Sequence, residues 1–290
     1  MPRIINFSID DEFDGKKVIH YLRGKAKLSC RTVNMLKRVE NGITLNGKHI
    51  RTIDLMKKGD VLTVSIPDEE CELEKISAPL DILYEDEDLL IINKSPYMAM
   101  HPTHNHQGDT LANAVAAYLN GSGAFRAIGR LDKGTSGIVV CAKNRHCASR
   151  LSGNIKKEYF AVVTGRYEGK GTINVPIYRP DPMKTLRACG EQGDEAITHW
   201  EAIKSGDSLS LLKIHLETGR THQIRVHFAH LGTPLAGDTM YGEALGDIKH
   251  QLLHCGKVSF VHPVTGVEMS IEALMPDEME KVCKKNLKNF

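Results

Sequence analysis

A polar loop between residues 130 and 137 holds the residues most able to do chemistry. It reads Arg130-Leu131-Asp132-Lys133-Gly134-Thr135-Ser136-Gly137 and runs into the apolar segment Ile138-Val139-Val140, which predicts a buried strand. A carboxylate at such a junction is a candidate nucleophile, and Asp132 is the only carboxylate in the loop. A structural interpretation stays open, because an Asp ahead of a glycine also caps turns with its own side chain.

Three other segments supply side chains that a working carboxylate needs as partners. They are Lys157-Glu158-Tyr159, Thr218-Gly219-Arg220-Thr221-His222-Gln223-Ile224-Arg225 and Gly237-Asp238-Thr239-Met240-Tyr241-Gly242. Burial disfavours the ionised form of a carboxyl group, whereas a neighbouring arginine favours it and orients both oxygens through its planar fork. Taken alone, Tyr159 is also typical of a core aromatic on a strand, and Arg225 of a surface charge on an amphipathic helix.

Histidines raise the possibility of a metal centre instead. An H-x-x-H-x-H pattern, compatible with zinc or another divalent ion, is formed by His101, His104 and His106. Asp109 is the one carboxylate close to them, and loop histidines beside RNA also hydrogen-bond to phosphates. We therefore expect no metal site. The histidines on the segment around Arg225 are interpreted as packing or phosphate contacts: His222, His227 and His230.

Composition describes a globular chain with room for a substantial core. Of its 290 residues, 41% are hydrophobic and 26% charged, and no apolar run reaches the roughly 18 to 20 residues that a membrane helix needs. The seven cysteines include no C-x-x-C pair, which argues against a disulfide framework and a thiolate zinc site. These patterns predict a reduced, cytoplasmic protein that does not contact a membrane.

The predicted helices and strands that must position these residues alternate irregularly along the sequence. Near the start, Ser29 predicts the cap of a helix that ends at Asn41-Gly42, and Asn46-Gly47 predicts a two-residue hairpin turn. From Leu80 onward strand-like runs outnumber helices, which are predicted at 110–119, at 145–151 and from Thr221 and Pro276. The absence of regular βαβ alternation predicts an α+β fold: a small α+β module, then a larger domain with a largely antiparallel mixed sheet flanked by helices and loops.

Positive charge is concentrated in the predicted N-terminal module. Between Lys16 and Lys58, twelve Lys and Arg residues stand against only Glu40 and Asp54. Such a block is typical of a solvated face, and it is also what a phosphate-binding surface requires. The segment resembles the small α+β RNA-binding module first known from a ribosomal small-subunit protein, through Ser29-Cys30-Arg31, Leu36-Lys37, Gly42-Ile43-Thr44-Leu45-Asn46-Gly47 and Gly59-Asp60-Val61. It departs at Lys16-Lys17-Val18-Ile19, where Arg-Leu-Asp is common.

The remaining motifs, in their order and spacing, resemble the RluA family of pseudouridine synthases. They are the loop around Asp132, Lys157 with Tyr159, the run ending at Arg225, Gly237-Asp238 with Tyr241-Gly242, and Leu253-His254 with Phe260, His262-Pro263 and Thr265-Gly266. Two positions depart from the family pattern. Gly129 stands where a His usually precedes Arg-Leu-Asp, and Lys94-Ser95-Pro96-Tyr97 replaces the commoner Lys-Pro-x-Gly.

The resemblance implies an isomerase that needs no cofactor and converts uridines of structured RNA to pseudouridine. It implies that Asp132 is the catalytic aspartate, assisted by Tyr159 and Arg225, with a substrate-binding set of Arg130, Lys157, Thr135, Ile224 and His101. The expected boundaries are 1–72 for the RNA-binding module, 73–79 for a linker and 80–290 for the catalytic domain. Ribosomal RNA of the large subunit is a more natural substrate than transfer RNA, and nothing demands a partner chain, so we expect a monomer. The alternative is a non-catalytic RNA-binding assembly factor or chaperone.

Overall fold

One cluster of buried hydrophobic residues forms the core of an N-terminal unit, residues 2–67, and three further clusters lie in a larger unit, residues 73–287. The structure is a computed structural model, and it describes residues 2–67, 73–103, 108–120 and 125–287. No helix in these ranges is both long and apolar enough to span a bilayer. The prediction of a module, a linker and a catalytic domain stays a prediction.

The N-terminal unit combines two short helices with a four-stranded antiparallel sheet of order β1-β4-β2-β3. Its elements are β1 (Arg3–Ser8), α1 (Val18–Gly24), α2 (Cys30–Leu36), β2 (Ile43–Leu45), β3 (Lys48–His49) and β4 (Val61–Ile66). Asn46 and Gly47 take φ values of 52° and 77°, which confirms the predicted two-residue turn between β2 and β3.

Helix α2 begins where the sequence predicts and ends earlier. The Ser29 hydroxyl accepts a hydrogen bond from the Thr32 amide at 3.0 Å and caps the helix. The helix stops at Leu36 instead of continuing to Asn41, because the backbone of Gly42 packs onto the Leu36 carbonyl. A Cβ atom at Gly42 would lie 2.3 Å from that oxygen, so the close approach requires glycine.

The larger unit is built on one mixed sheet flanked by helices. Its elements are β5 (Asp81–Glu85), β6 (Leu89–Lys94), α3 (Leu111–Tyr118), β7 (Arg126–Ala127), β8 (Ser136–Ala142), α4 (Arg145–Leu151), β9 (Lys156–Thr164), β10 (Lys170–Asn174), β11 (Ile177–Tyr178), β12 (Ala188–Cys189), β13 (Ile197–Ser205), β14 (Leu209–Leu216), α5 (Gln223–His230), β15 (Leu253–Val261), β16 (Glu268–Glu272) and α6 (Asp277–Asn286).

Ten of these strands form the sheet, and its pairings are antiparallel except between β8 and β15. The order is β10-β13-β14-β9-β15-β8-β6-β5, with β16 added to β15 and β7 to β8. The predicted α+β class with a largely antiparallel mixed sheet is confirmed. Helix α4 and the Thr110-capped α3 lie where they were predicted, whereas the cap of α5 is His222, one residue after the predicted cap at Thr221.

Strands β8, β15 and β9 are neighbours at the centre of the sheet, and their register positions the functional residues. Gly137 at the start of β8 pairs with Cys255 of β15, and Cys255 pairs in turn with Tyr159 of β9. The loop that carries Asp132 leads into β8, so it lies beside Tyr159 although the two are distant in sequence. Leu253 begins β15 at the same place.

The two units are joined by a partly buried ion pair. Arg3 of β1 donates from Nε and Nη2 to the two carboxylate oxygens of Asp88 at 2.9 and 2.8 Å. Asp88 also accepts from Asn144 at 2.7 Å. Burial would raise the pKa of Asp88, but the hydrogen bond and charge of Arg3 outweigh it and hold that pKa below its usual value.

Candidate active site

A cleft of about 970 Å³ opens on the larger unit, and Asp132 lies in its wall. The Asp132 side chain is 28% exposed, so a ligand in the cleft can reach its carboxylate. Cationic side chains surround this carboxylate along the cleft: Arg130, Lys133, Arg187, Arg220, Arg225 and Lys249. The cleft therefore suits a large, negatively charged ligand.

Arg225 connects Asp132 to a second, fully buried carboxylate. Its Nη1 donates to Asp132 Oδ2 at 3.2 Å, while Nε and Nη2 form a bidentate pair with Asp238 at 2.7 and 2.8 Å. Burial would lower the pKa of Arg225, but Asp238 first and Asp132 second outweigh it and keep that pKa above its ordinary value. A guanidinium fixed in this way keeps its permanent positive charge next to one oxygen of Asp132.

His222 approaches the same oxygen of Asp132 from a strained backbone position. It precedes α5 with a φ of 58°, and its Nε2 lies 3.9 Å from Asp132 Oδ2. The Tyr241 hydroxyl accepts from the Arg187 amide at 2.9 Å and is hydrogen-bonded to His222 Nδ1 at 2.8 Å. Burial lowers the pKa of His222, partly opposed by Asp132. The other ring nitrogen, Nε2, thus faces Asp132.

Tyr159 lies behind the carboxylate, next to a small cavity of about 100 Å³. This cavity is also lined by Asp132, Ile224 and Leu253. Burial, together with the charges of Cys255 and Asp132, raises the pKa of Tyr159 well above its ordinary value, so the hydroxyl keeps its proton at neutral pH. The ring therefore presents an apolar surface with a proton donor next to the carboxylate.

Lys94 connects the loop that carries Asp132 to the segment after β6. It is 1% exposed, and its Nζ donates to the carbonyl oxygens of Ser95, Met98 and Lys133 at 2.8, 2.9 and 3.1 Å. Burial lowers the pKa of Lys94 to about 7, and the charge of Asp132 acts in the opposite direction. Because Lys133 follows Asp132 directly, this ammonium ties the loop to the segment after β6.

Comparisons with known proteins give this geometry its context. A family model described as RNA pseudouridylate synthase matches residues 88–230. The uncharacterized RNA pseudouridine synthase YjbO of Bacillus subtilis strain 168 is 38% identical over 272 residues, which cover 90% of this chain and 96% of that protein. The chain belongs to the RNA pseudouridine synthase family. It is therefore an isomerase that acts on RNA.

A further relative agrees with this assignment, and a solved structure shares the fold. Ribosomal large subunit pseudouridine synthase D of Vibrio cholerae serotype O1 is 35% identical over 265 residues, which cover 83% of this chain and 82% of that protein. Human RNA pseudouridylate synthase domain containing 1 shares the fold at a TM-score of 0.55, with 24% identity over 71% of this chain and 94% of that one. The resemblance to the RluA family is thus supported.

The synthase departs from the expected family pattern at Gly129, and the structure shows which side chain lies beside this position. Gly129 has a φ of 76°, and a Cβ atom there would lie 3.0 Å from the Nζ of Lys157. The Lys157 ammonium group therefore occupies the space beside the loop that a side chain at position 129 would need. Lys157 is the one predicted site residue that lines neither cavity.

The remaining residues that the sequence assigns to the substrate are brought together around Asp132. Arg130 and His101 line the cleft, and burial together with the charge of Arg130 lowers the pKa of His101. Ile224 and Thr135 line the smaller cavity. The hydroxyl of Thr135 accepts a hydrogen bond from the Gln251 side chain at 2.9 Å, so this residue also has a structural partner.

A cluster of possible metal ligands lies elsewhere and is already satisfied by hydrogen bonds. Asp86, Asp88 and His262 bring one ligand atom each within 4.8 Å of one another in the described part of the chain. His262 Nδ1 accepts from the amide of Thr265 at 3.1 Å, so its Nε2 donates to Asp86 at 2.9 Å. Asp88 is held by Arg3, which makes the cluster a structural network.

The histidine pattern considered as a zinc site is described only at one end. His101 packs edge-on against Phe125 with ring centroids 5.1 Å apart. His104 and His106 lie outside the described residues.

Sequence reasoning missed the roles of three residues at the site. The sequence places Asp238 in a segment that offers partners to the carboxylate but assigns it no role, it indicates a packing or phosphate contact for His222, and it marks Lys94 only as the start of a segment that departs from the family pattern. The glycines around Asp238 mark a turn but do not reveal its pairing with Arg225. For Lys94, a lysine directly after the apolar run of β6 was an available signal of a buried cation.

Proposed function

We propose that this synthase converts uridines of large-subunit ribosomal RNA to pseudouridine, with the Asp132 carboxylate as its nucleophile. The observation that carries the proposal is the position of this carboxylate, open to a cationic cleft and held by Arg225 at 3.2 Å. The choice of ribosomal RNA is supported by the name of the Vibrio cholerae relative and by the basic N-terminal unit.

The reaction rearranges bonds without any change in composition. The bond from ribose C1′ to N1 of uracil breaks, a bond from C1′ to C5 forms, the C5 proton leaves and N1 gains a proton. The carboxylate of Asp132 supplies a nucleophile that adds to the base or to the sugar carbon and later leaves. Oxidation and hydrolysis play no part, so these residues need no cofactor to perform it.

Arg225 keeps Asp132 ready for this attack. Its Nη1 hydrogen bond and its positive charge hold the carboxylate in position while a uracil ring removes water from the cleft. The bidentate bond to Asp238 fixes the guanidinium plane, so Arg225 Nη1 has a defined position toward Asp132 Oδ2. The second oxygen of Asp132 then points at the reacting atom with little freedom to rotate.

A stacked uridine cannot reach Asp132, so the nucleotide must leave its helix. Extrusion costs a few kcal/mol, and stacking on an aromatic ring returns about 1–3 kcal/mol of it. Tyr159 provides that ring beside the carboxylate, and its protonated hydroxyl is a candidate to move the C5 proton. Arg130 lines both cavities, which supports the proposal that it fills the gap left in the helix.

We further propose that the N-terminal unit is an RNA-binding module. Exposed cations lie on or just after α2 at Arg31, Lys37 and Arg38. Arg31 also lines a groove of about 450 Å³ to which the larger unit contributes Arg126 and Arg145. A polyanion that binds this groove would contact both units at once, so the module would orient RNA relative to the cleft.

The test is release of tritium to water from RNA labelled at uracil C5. The wild-type chain should release label from transcribed large-subunit ribosomal RNA. Asp132→Asn, which keeps the shape of the side chain, should lower the rate by more than about 1,000-fold, as loss of a nucleophile does. RNA affinity should stay nearly constant, since one carboxylate contributes little to phosphate binding.

Asp247→Asn is the matched control, because Asp247 is an exposed carboxylate in the same cleft. It should retain wild-type release. Equal losses in Asp132→Asn and Asp247→Asn would mean that Asp132 is not the nucleophile. Tight RNA binding by a wild-type chain that releases no label would instead support the assembly-factor alternative.

A further inference from the structure

Tyr97 stands on the ridge between the active-site cleft and a second groove. The groove has a volume of about 600 Å³ and runs along α6, and Pro96 and Tyr97 line both it and the cleft. Tyr97 is 67% exposed, which is unusual for a large aromatic residue without a partner surface. It also lies in the segment 94–97, where this chain departs from the family pattern.

The ring of Tyr97 is held in place by residues from two other segments. Its hydroxyl donates to Glu278 Oε2 at 3.1 Å, and the same oxygen accepts from His250 Nε2 at 2.9 Å. The rings of Tyr97 and His250 meet edge to face with centroids 5.2 Å apart. A ring fixed in this way loses little side-chain entropy when a ligand stacks on it.

Two carboxylates, Asp277 and Glu278, and two lysines line the groove beside the ridge. Glu278 is engaged by two donors, which reduces its repulsion toward phosphate. Lys281 and Lys285 line the groove one helical turn apart, so they share a face of α6. On the cleft side, Lys249 lines the same cleft as Tyr97. Cations therefore flank the exposed ring on both sides.

The size of the cleft leaves room for more than one nucleotide. Its volume of about 970 Å³ lies at the upper end of the range for pockets that enclose a whole drug-sized ligand. A single extruded nucleotide occupies only part of this space near Asp132. The strand on either side of it must leave the cleft, and the continuous surface across Tyr97 is one such exit.

We propose that Tyr97 stacks on the base of a nucleotide next to the extruded uridine, and that Lys281 and Lys285 bind the phosphates that follow. This inference rests on the proposed function, because it extends the substrate path from the Asp132 cleft. It assigns to α6 a part in substrate binding. It also makes the departure at residues 95–97 a determinant of which RNA the enzyme accepts.

A purely structural role for Tyr97 makes a different prediction. If Tyr97 only fastened α6 to the loop, its hydroxyl would carry the effect through Glu278 and the exposed ring face would be irrelevant. Tyr97→Phe removes the hydroxyl and keeps the ring, whereas Tyr97→Ala removes both. The two variants therefore separate stacking from fastening. Since the residue is largely exposed, both variants should fold.

Steady-state tritium release from transcribed large-subunit ribosomal RNA gives the first readout. Tyr97→Ala should raise KM by about 5- to 150-fold, which corresponds to the 1–3 kcal/mol of one stacked base, with kcat nearly unchanged. Tyr97→Phe and Tyr97→Trp should stay close to wild type. An unchanged KM in Tyr97→Ala, or equal losses in the Ala and Phe variants, would overturn the proposal.

Binding measured in the Asp132→Asn background gives a second readout that needs no turnover. The probe is a stem-loop RNA cut from the modified region, with an abasic nucleotide placed at each position beside the target uridine. One abasic position should weaken binding by the factor seen in Tyr97→Ala, and combining the two changes should add nothing. If the effects of the abasic nucleotide and of Tyr97→Ala on binding were fully additive at every position, stacking by Tyr97 would be refuted. This outcome does not depend on whether Asp132 is the nucleophile.

The lysines are tested through salt dependence. Each phosphate contact with single-stranded RNA contributes about 0.7 to the slope of log Kd against log salt concentration. Lys281→Ala with Lys285→Ala should therefore flatten the slope by about 1.4. Lys284→Ala is the control, because Lys284 pairs with Glu280 and does not line the groove. Identical slopes for the double variant and the control would rule out phosphate binding along α6.

Discussion

The two units of the molecule differ in what they bury. Within residues 2–67 the buried polar side chains are Thr32, Thr44 and Thr52, and none of the buried side chains there is charged. The larger unit buries both charged side chains and histidines: Asp88, Lys94, Arg225, Asp238, His146, His227, His254 and His262. Burying an ion costs several kcal/mol unless it is paired, so such a group indicates a purpose other than stability.

The cations of the two units are also engaged differently. In the N-terminal unit, Lys25 pairs with Asp10 and Lys58 with Asp11, and all four side chains remain substantially exposed. Such pairs contribute little to stability and leave the surface free for a ligand. In the larger unit, the bidentate pair with Asp238 holds the Arg225 guanidinium in one position. The comparison indicates that the exposed ion pairs of the N-terminal unit tolerate substitution, whereas the buried pair of the larger unit fixes the geometry of a side chain.

The two units should differ most in the unfolding free energy that they lose when a glycine is replaced by alanine. Gly137→Ala would place a Cβ atom 2.3 Å from the Cys255 carbonyl oxygen at a φ of 108°, so we expect a loss of more than about 4 kcal/mol of unfolding free energy, or no folded protein. In the N-terminal turn, Gly47→Ala meets no atom within 4 Å, and only its φ of 77° opposes it. A loss of about 1 kcal/mol is expected there. Urea unfolding of both variants measures the difference.

The next largest effect should come from breaking the buried pair. Arg225→Ala leaves Asp238 buried without its cation, which should cost about 3–5 kcal/mol of unfolding free energy and abolish tritium release. Arg225→Lys keeps the charge but not the bidentate fork, and should retain more stability than activity. Lys25→Ala, which breaks an exposed pair, should leave the unfolding free energy unchanged within error. Similar losses in Arg225→Ala and Lys25→Ala would remove the distinction between the units.

Acid should destabilise the larger unit through its buried histidines. Burial lowers the pKa of His146 from 6.5 to about 4, helped by Arg150 and opposed by Asp88. The unfolded chain therefore takes up this proton at higher pH than the native one does. The stability that this histidine contributes is complete above pH 6.5 and lost as pH falls to about 4, which amounts to about 3 kcal/mol.

His146→Gln should flatten the acid limb of a plot of unfolding free energy against pH. His20→Gln is the control, because His20 is an exposed histidine of the N-terminal unit. It should leave the acid limb as steep as in wild type. A steep acid limb that persists in His146→Gln would assign the effect to other groups.

Local signals in the sequence were sufficient for much of the fold. Ser29, Thr110 and Asn144 each cap the helix that follows, and these contacts span three residues. The Asn46-Gly47 turn is equally local. Elements of this kind are predictable because the residues that determine them are adjacent in the chain. The end of α2 was not predictable from local signals, because it depends on the approach of Gly42 from outside the helix.

The catalytic geometry needed information that no local pattern contains. The residues of the Asp132–Arg225 contact are 93 positions apart, and the resemblance to a family is what placed them together in advance. The left-handed backbone of His222 was not predicted, since its partners are Asp132 in a distant loop and Tyr241 in a distant turn. Buried charge is a tertiary property, which explains why Lys94 and Asp238 went unrecognised.

The smallest effect expected concerns the surface of the N-terminal unit. Replacing Arg31, Lys37 and Arg38 with alanine should flatten the slope of log Kd against log salt concentration by about 2 to 3, with kcat unchanged at saturating RNA. The double variant Asp10→Ala with Lys25→Ala removes an ion pair and conserves net charge, so its slope should match wild type. If the triple variant instead keeps the wild-type slope, the RNA is bound by the larger unit alone. The exposed cations of residues 2–67 would then be a solvated face, and the contrast between the units would lie in stability and not in RNA binding.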